Sequence, residues 1–110
     1  LINLFTQKDR PSAIFCYSDP TAERVARILQ KEGVAIPGDV SLIGFGNQTS
    51  PDCPLPLTTF DQHPKRIGQT AATMYLQRVE EGPGKGVRQD RIPADIIVRA
   101  STATVRGGKS

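Results

Sequence analysis

Three short clusters in this sequence carry side chains suited to directional contacts: Tyr17-Ser18-Asp19, Phe45-Gly46-Asn47 and Asp61-Gln62. Hydroxyl, carboxylate and amide groups beside aromatic rings are the chemistry of ligand recognition. Hydrogen bonds set orientation, and rings supply an apolar or stacking wall. Bond-making chemistry asks for more. His63 is the single histidine, and general acid–base work or zinc binding at it needs a His/Cys/carboxylate cluster that the surrounding sequence does not offer. It reads as a surface residue at a helix start. With no nucleophile–base pair and no metal set, the expectation is a binding protein, not an enzyme, with neither cofactor nor metal. Each candidate also has a plainer reading: Ser18 or Asp19 as a helix cap, Asn47 as a turn former, Tyr17 and Phe45 as core.

The elements that must position these clusters are legible from periodicity. Residues 12–17 form a short, almost fully apolar run, as expected of a strand covered on both faces. Ser18-Asp19-Pro20 then opens a helix to about Glu32, with an apolar stripe of Ala22, Val25, Ala26, Ile28 and Leu29, and Gly33 closes it. Val40–Phe45 is the next buried strand. Together these make a strand–helix–strand unit of the length a parallel crossover needs. No glycine-rich phosphate fingerprint joins strand to helix, so a dinucleotide site is disfavoured.

Beyond an irregular loop over 46–56, residues 57–61 read as extended. Pro64 opens a second helix to about Glu81, apolar at Ile67, Ala71, Met74, Tyr75 and Val79, and Gly82 ends it. A Gly- and charge-rich loop over 82–90 leads to a last strand at 92–98, where Pro93 implies an edge or a strand start. Residues 1–10 read as the end of a helix with Leu1, Leu4 and Phe5 on one face. Residues 100–110 read as a polar tail without reason to order. In open α/β sheets ligands lie beyond the carboxyl ends of the strands, and the three clusters fall at such ends.

Bulk properties narrow the function classes. The 110 residues carry a net charge of +3, but Arg106 and Lys109 lie in the tail, and the remaining 12 basic side chains nearly balance 11 acidic ones. A phosphate-binding face needs clustered Lys and Arg, so this segment is not expected to bind DNA itself. Cys16 and Cys53 lack CxxC spacing and read as free thiols in a reduced, cytoplasmic setting. No apolar run is long enough to span a membrane.

The order of segments resembles the LacI/GalR family of bacterial transcription regulators. PSAIFCYSDPTAERVARILQKEGVAIPGDVSLIGFGN (11–47) resembles its Asn-Asp pair, Gly, Pro-x-Asp and Gly-Phe-Asp pattern; PLPLTTFDQHPKRIGQTAATMYL (54–76) resembles its Leu-Thr-Thr and crossover Gln segment; IPADIIVRAST (92–102) resembles its closing Arg-x-Ser-Thr. The resemblance implies an α/β fold with a parallel sheet, the C-terminal subdomain of a type I periplasmic-binding-protein-like domain. That subdomain is incomplete here, and one helix belongs to the other lobe. On that basis residues 1–102 are the C-terminal part of an effector-binding and dimerisation domain, about 62–90 cross to the N-terminal lobe, and 103–110 are a flexible tail.

It further implies a small effector, a sugar or related metabolite, contacted by Tyr17, Ser18, Asp19, Phe45, Gly46, Asn47 and Gln62. A homodimer forms through about 20–32 and 48–54, and DNA is bound by a helix-turn-helix headpiece outside this segment. Two positions depart from the pattern. Ser18 stands for the usual Asn, and Gly46 for an Asp that in many sugar-responsive members bonds ring hydroxyls, which puts a sugar in question. A secreted sugar-binding component of an ABC transporter shares the fold and is the alternative; IVRAST favours the regulator. Leu1-Ile2-Asn3-Leu4-Phe5, without Met or a signal pattern, reads as a cut through something longer, and such a piece alone is expected to be unstable or to self-associate.

Overall fold

The computed structural model describes residues 2–5, 8–84 and 86–105. A 3-10 turn over Ile2–Phe5 precedes strand β1, Ala13–Phe15. Helix α1 follows over Asp19–Lys31, then strands β2, Ser41–Ile43, and β3, Thr59–Asp61. Helix α2, Pro64–Glu81, leads to strand β4, Asp95–Ile97. The expected order therefore stands, with each strand shorter than its apolar run because pairing ends where the backbone turns.

β1 and β2 pair in parallel, Ala13 with Ser41 through Phe15 with Ile43, so residues 13–43 form the expected crossover. A parallel bridge between Ile43 and Thr58 and the bonds from Gly44 N to Thr58 O and Gly46 N to Phe60 O place β3 on the other side of β2. β3 then pairs antiparallel with β4, Thr59 with Ile97 and Asp61 with Asp95.

α1 covers one face of this ribbon. Its stripe buries Ala22, Ala26 and Leu29 against Cys16, Leu42, Leu57, Phe5 and Val40. Burying a side chain such as Leu29 stabilises by about 1.5–3 kcal/mol. Ile28 instead turns outward, 45% exposed, so the stripe is narrower than its apolar residues suggest. Gly33, at φ +80, reverses the chain after the helix.

Three expectations change. The opening residues form a 3-10 turn, not a helix end, and Phe5 is buried while Leu4 is exposed; Leu1 lies outside the described residues. β1 is not covered on both faces, because Phe15 is 59% exposed and no second layer lies over it. The third concerns the start of the expected tail, where residues 101–103 are bound rather than loose. Ser101 is fully buried. Its Oγ donates to Leu42 O at 2.6 Å and accepts from Thr58 N at 2.8 Å, and its carbonyl accepts from Leu42 N. Residues 106–110 of the expected tail lie outside the described residues.

α2 buries none of its residues, and Ile67, Tyr75, Leu76 and Val79 are exposed along it. The described chain is accordingly long, 60 × 31 × 24 Å. Among the described residues no helix is long and apolar enough to cross a membrane.

Candidate functional site

The three clusters meet at the N-terminus of α1. Ser18 has an extended backbone, and its Oγ accepts from Thr21 N at 3.3 Å while donating to Thr21 Oγ1. Ser18 is thus the N-cap. That releases Asp19 for a different task. Its backbone N–H donates to Phe45 O at 3.0 Å. Its carboxylate is fully buried, with Oδ1 accepting from Thr59 Oγ1 at 2.7 Å and Oδ2 from Gln48 N at 2.6 Å. One residue therefore ties α1 to the ends of β2 and β3. Gly44 is required beside it, since a Cβ there would overlap Asp19 Oδ1 and lie 2.9 Å from Leu57 Cδ2. Asp19 was expected to contact an effector; in this structure each of its oxygens accepts a bond from within the chain.

Beyond β2 the chain turns through Gly46 at φ +118 and Asn47 at φ +54. The Asp that the resemblance leads one to expect at 46 would be strained in this backbone, so the departure is one of chain geometry as well as of charge. The turn is closed by Gly46 N to Phe60 O at 2.8 Å and Asn47 N to Thr59 Oγ1 at 3.2 Å. The Asn47 amide lies between two charged groups. Oδ1 accepts from Arg99 Nη2 at 2.9 Å, and Nδ2 donates to Asp61 Oδ2 at 3.5 Å. Arg99 is itself anchored by donating to Leu57 O at 3.0 Å.

Three rings pack against one another. Phe15, Phe45 and Phe60 come from β1, the end of β2 and β3, with centroids 5.6–6.4 Å apart and tilts of 33–41°. Such spacing is that of a mutually packed aromatic cluster. Phe15 and Tyr17, the latter 81% exposed, leave much of their surface open. Gln62 is exposed one residue past β3.

At the crossover, Asp61 Oδ1 accepts from His63 N at 2.8 Å. His63 Nε2 lies 2.7 Å from Asp95 Oδ2 and Nδ1 3.9 Å from Asp61 Oδ1. His63 stands at the start of α2, as expected, and the partner its own neighbourhood in sequence does not offer comes from the β3–β4 pairing, which brings Asp95 to it across 32 residues. A hollow of about 500 Å³ beside it is lined by Asp61, His63, Pro64, Lys65, Arg66 and Gln69. Another, of about 520 Å³, lies between α2 and residues 88–90; none of the strand-end candidates lines it. Among the described residues no group of His, Cys, Asp and Glu is placed to hold a metal ion.

Sequence reading missed Phe15, Phe60, Thr59 and Arg99 as partners in the site. The signal available was positional: Phe15 ends β1, Phe45 follows β2 by two residues and Phe60 lies within β3, on adjacent strands. It also missed Glu23, a buried carboxylate on α1 that accepts from Ser50 N at 2.6 Å and Ser50 Oγ at 2.9 Å. With Arg27 Nη2 donating to Asp52 O at 3.1 Å, it binds the 48–52 loop to α1 as one continuous surface. The two cysteines are free, and burial raises the thiol of Cys16 above its ordinary range.

Comparison with known proteins agrees with this geometry. The periplasmic binding protein-like domain matches residues 2–102. An HTH-type transcriptional repressor PurR of Photobacterium profundum is 40% identical over 75 residues, 67% of this chain and 22% of that protein. A LacI family transcriptional regulator from Bifidobacterium animalis superposes with a TM-score of 0.82 at 26% identity, over 96% of this chain and 38% of that one. The lac repressor dimer bound to operator and the anti-inducer ONPF gives 0.75 at 26% identity, over 86% and 32%. The chain spans about a quarter of the length of the curated relatives it matches. It belongs to the periplasmic binding protein-like domain family, in the form that domain takes in LacI/GalR-type regulators.

Proposed function

We propose that this chain is the ligand-sensing and dimerisation part of a cytoplasmic, LacI-type transcription regulator. Its effector is a small metabolite, a sugar or a related compound. The observation that carries the reading is that one buried carboxylate, Asp19, ties the start of α1 to the loop after β2 and to β3, beside the turn that carries Asn47. In this proposal Tyr17, Ser18, Phe45, Gly46, Asn47 and Gln62 face the effector, while Asp19 holds the floor on which they stand. Segments 20–32 and 48–54, joined by Glu23 and Arg27, face a second copy. Residues 62–90 lie with the other lobe, which covers α2. DNA contact belongs to a helix-turn-helix headpiece outside these residues. Effector changes operator affinity by binding two lobe orientations unequally.

The test is a thermal-shift screen of the full-length regulator against glucose, ribose, xylitol, adenosine and gluconate. Ligand at about a hundred times its Kd adds roughly 2.7 kcal/mol of stability, a shift of several degrees. We expect one compound to produce it and Phe45→Ala to abolish it. Stabilisation by none of them, or a shift indifferent to Phe45, overturns the proposal.

A further inference from the structure

Two non-glycine residues in the described chain have positive φ, Asn47 and His63, both at +54°. They are 16 positions apart in sequence, and they share one partner. Asp61 Oδ1 accepts from His63 N at 2.8 Å while Asp61 Oδ2 accepts from Asn47 Nδ2 at 3.5 Å. Left-handed backbone at a residue with a side chain costs about 1–3 kcal/mol and persists where its surroundings over-determine it. Here a single carboxylate contributes to both positions.

The turn at 46–47 does not need the Asn47 side chain. Its backbone is already closed by Gly46 N to Phe60 O and by Asn47 N to Thr59 Oγ1. The amide instead faces Arg99 at 2.9 Å on one side and Asp61 on the other. On the far side of the crossover, His63 is held through Nε2 at 2.7 Å by Asp95, the residue paired with Asp61 across β3 and β4. The chain of contacts Arg99–Asn47–Asp61–His63–Asp95 therefore runs from the tip of β2 to the first turn of α2, through the two strands between them.

We propose that this chain is a relay by which a ligand at the strand ends is felt at the bend into α2. The proposal rests on the sensor reading above. The 3.5 Å bond from Asn47 to Asp61 is its weak member, at the outer limit of hydrogen-bond geometry. A ligand acceptor that takes the Asn47 N–H aimed at Asp61 displaces that carboxylate oxygen and leaves the shorter Arg99 contact in place. Asp61 then has one oxygen released and the other still on His63 N. The planar carboxylate turns as a unit, so its hold on the left-handed residue that starts α2 changes with it. Arg99 is a positioning residue in this scheme: it fixes which face of the amide points to Asp61.

Hydrogen exchange read by mass spectrometry on the full-length regulator tests the relay without any ligand. Asn47→Gly keeps the left-handed backbone and removes only the amide. It should speed exchange of the segment 61–67 by about fivefold or more, the lower end of ordinary coupling between sites, with α1 unchanged. By reciprocity Asp95→Ala, which removes the partner that holds His63 through Nε2, should speed exchange of 45–50. A change confined to each variant's own segment overturns the proposal. Should either variant loosen α1 as well, the double variant decides: non-additive effects on 61–67 support the relay, additive ones overturn it. If no compound in the thermal-shift panel binds, the sensor reading fails, while the exchange experiment still answers for the relay.

Discussion

Replacing Asp19 separates a buried structural carboxylate from a ligand-facing one. Its side chain is fully buried, and its oxygens accept from Thr59 Oγ1 at 2.7 Å and Gln48 N at 2.6 Å. A hydrogen bond to a charged group contributes about 1.5–3 kcal/mol, and stranding a buried donor adds its desolvation cost. Asp19→Ala removes both acceptors and should destabilise by about 3–5 kcal/mol. Asp19→Asn is milder for a specific reason. Its carbonyl oxygen can keep Gln48 N, and its NH2 can face Thr59, whose hydroxyl reverses to accept. The charge assistance goes, one hydroxyl proton is stranded, and the loss should be about 2 kcal/mol. Urea unfolding followed by far-ultraviolet circular dichroism measures both, with an unchanged m-value required for the comparison. Near the midpoint temperature each kcal/mol corresponds to a shift of about 4 °C for a chain of this size. Thr59→Val in the Asp19→Asn background should show a coupling of about 1 kcal/mol. If Asp19→Asn and Asp19→Ala both cost less than about 0.5 kcal/mol, the carboxylate is not the tie between α1, β2 and β3, and the argument for the site's floor fails.

Ser101→Ala leaves Leu42 O and Thr58 N without their shared hydroxyl and should cost about 1–3 kcal/mol, with faster hydrogen exchange at Thr58 as the local readout. Cys16 should resist iodoacetamide at neutral pH while Cys53 reacts, because burial holds the Cys16 thiol protonated. Since its folded pKa lies above the unfolded value, its contribution to stability is complete below the ordinary thiol range and is lost as pH rises from there through the raised folded value; alkylation of Cys16 at neutral pH as fast as that of Cys53 refutes this. Tyr75→Glu with Val79→Lys should reduce self-association and dye binding of the 110-residue chain by shortening the exposed apolar line on α2, measured by light scattering and 8-anilinonaphthalene-1-sulfonate fluorescence.

Local signals carried the helices well. Pro64 and Gly82 bound α2 on their own terms, because a proline at the first position and a glycine after the last act within a turn of the chain. A cap at Ser18 or Asp19 and the reversal at Gly33 were legible for the same reason. What escaped was long in range. Ser101 reaches Leu42 across 59 positions and Thr58 across 43. A polar ending offers no period from which to infer that its hydroxyl closes a gap between two strands. The sheet faces were misjudged in the other direction. An unbroken apolar run predicts burial on both sides, yet burial depends on what covers the run, and Phe15 shows that the covering is not decided by the run itself.

The site shows the same division more sharply. Strand-end position was enough to gather 17–19, 45–47 and 61–62, because parallel strands bring their carboxyl ends to one edge. It was not enough to say which side chains face outward. Asp19 and Ser18 are adjacent and both can cap a helix, so only the competition between them decides which is left over. Ser18 takes the cap and Asp19 turns into the protein, where Thr59 and Gln48 supply the donors that make a buried carboxylate tolerable. Asn47 is the converse case. A turn former by type, it uses its backbone for the turn and its amide for Arg99 and Asp61. An asparagine whose turn is already satisfied by other groups has a side chain available for selection to use.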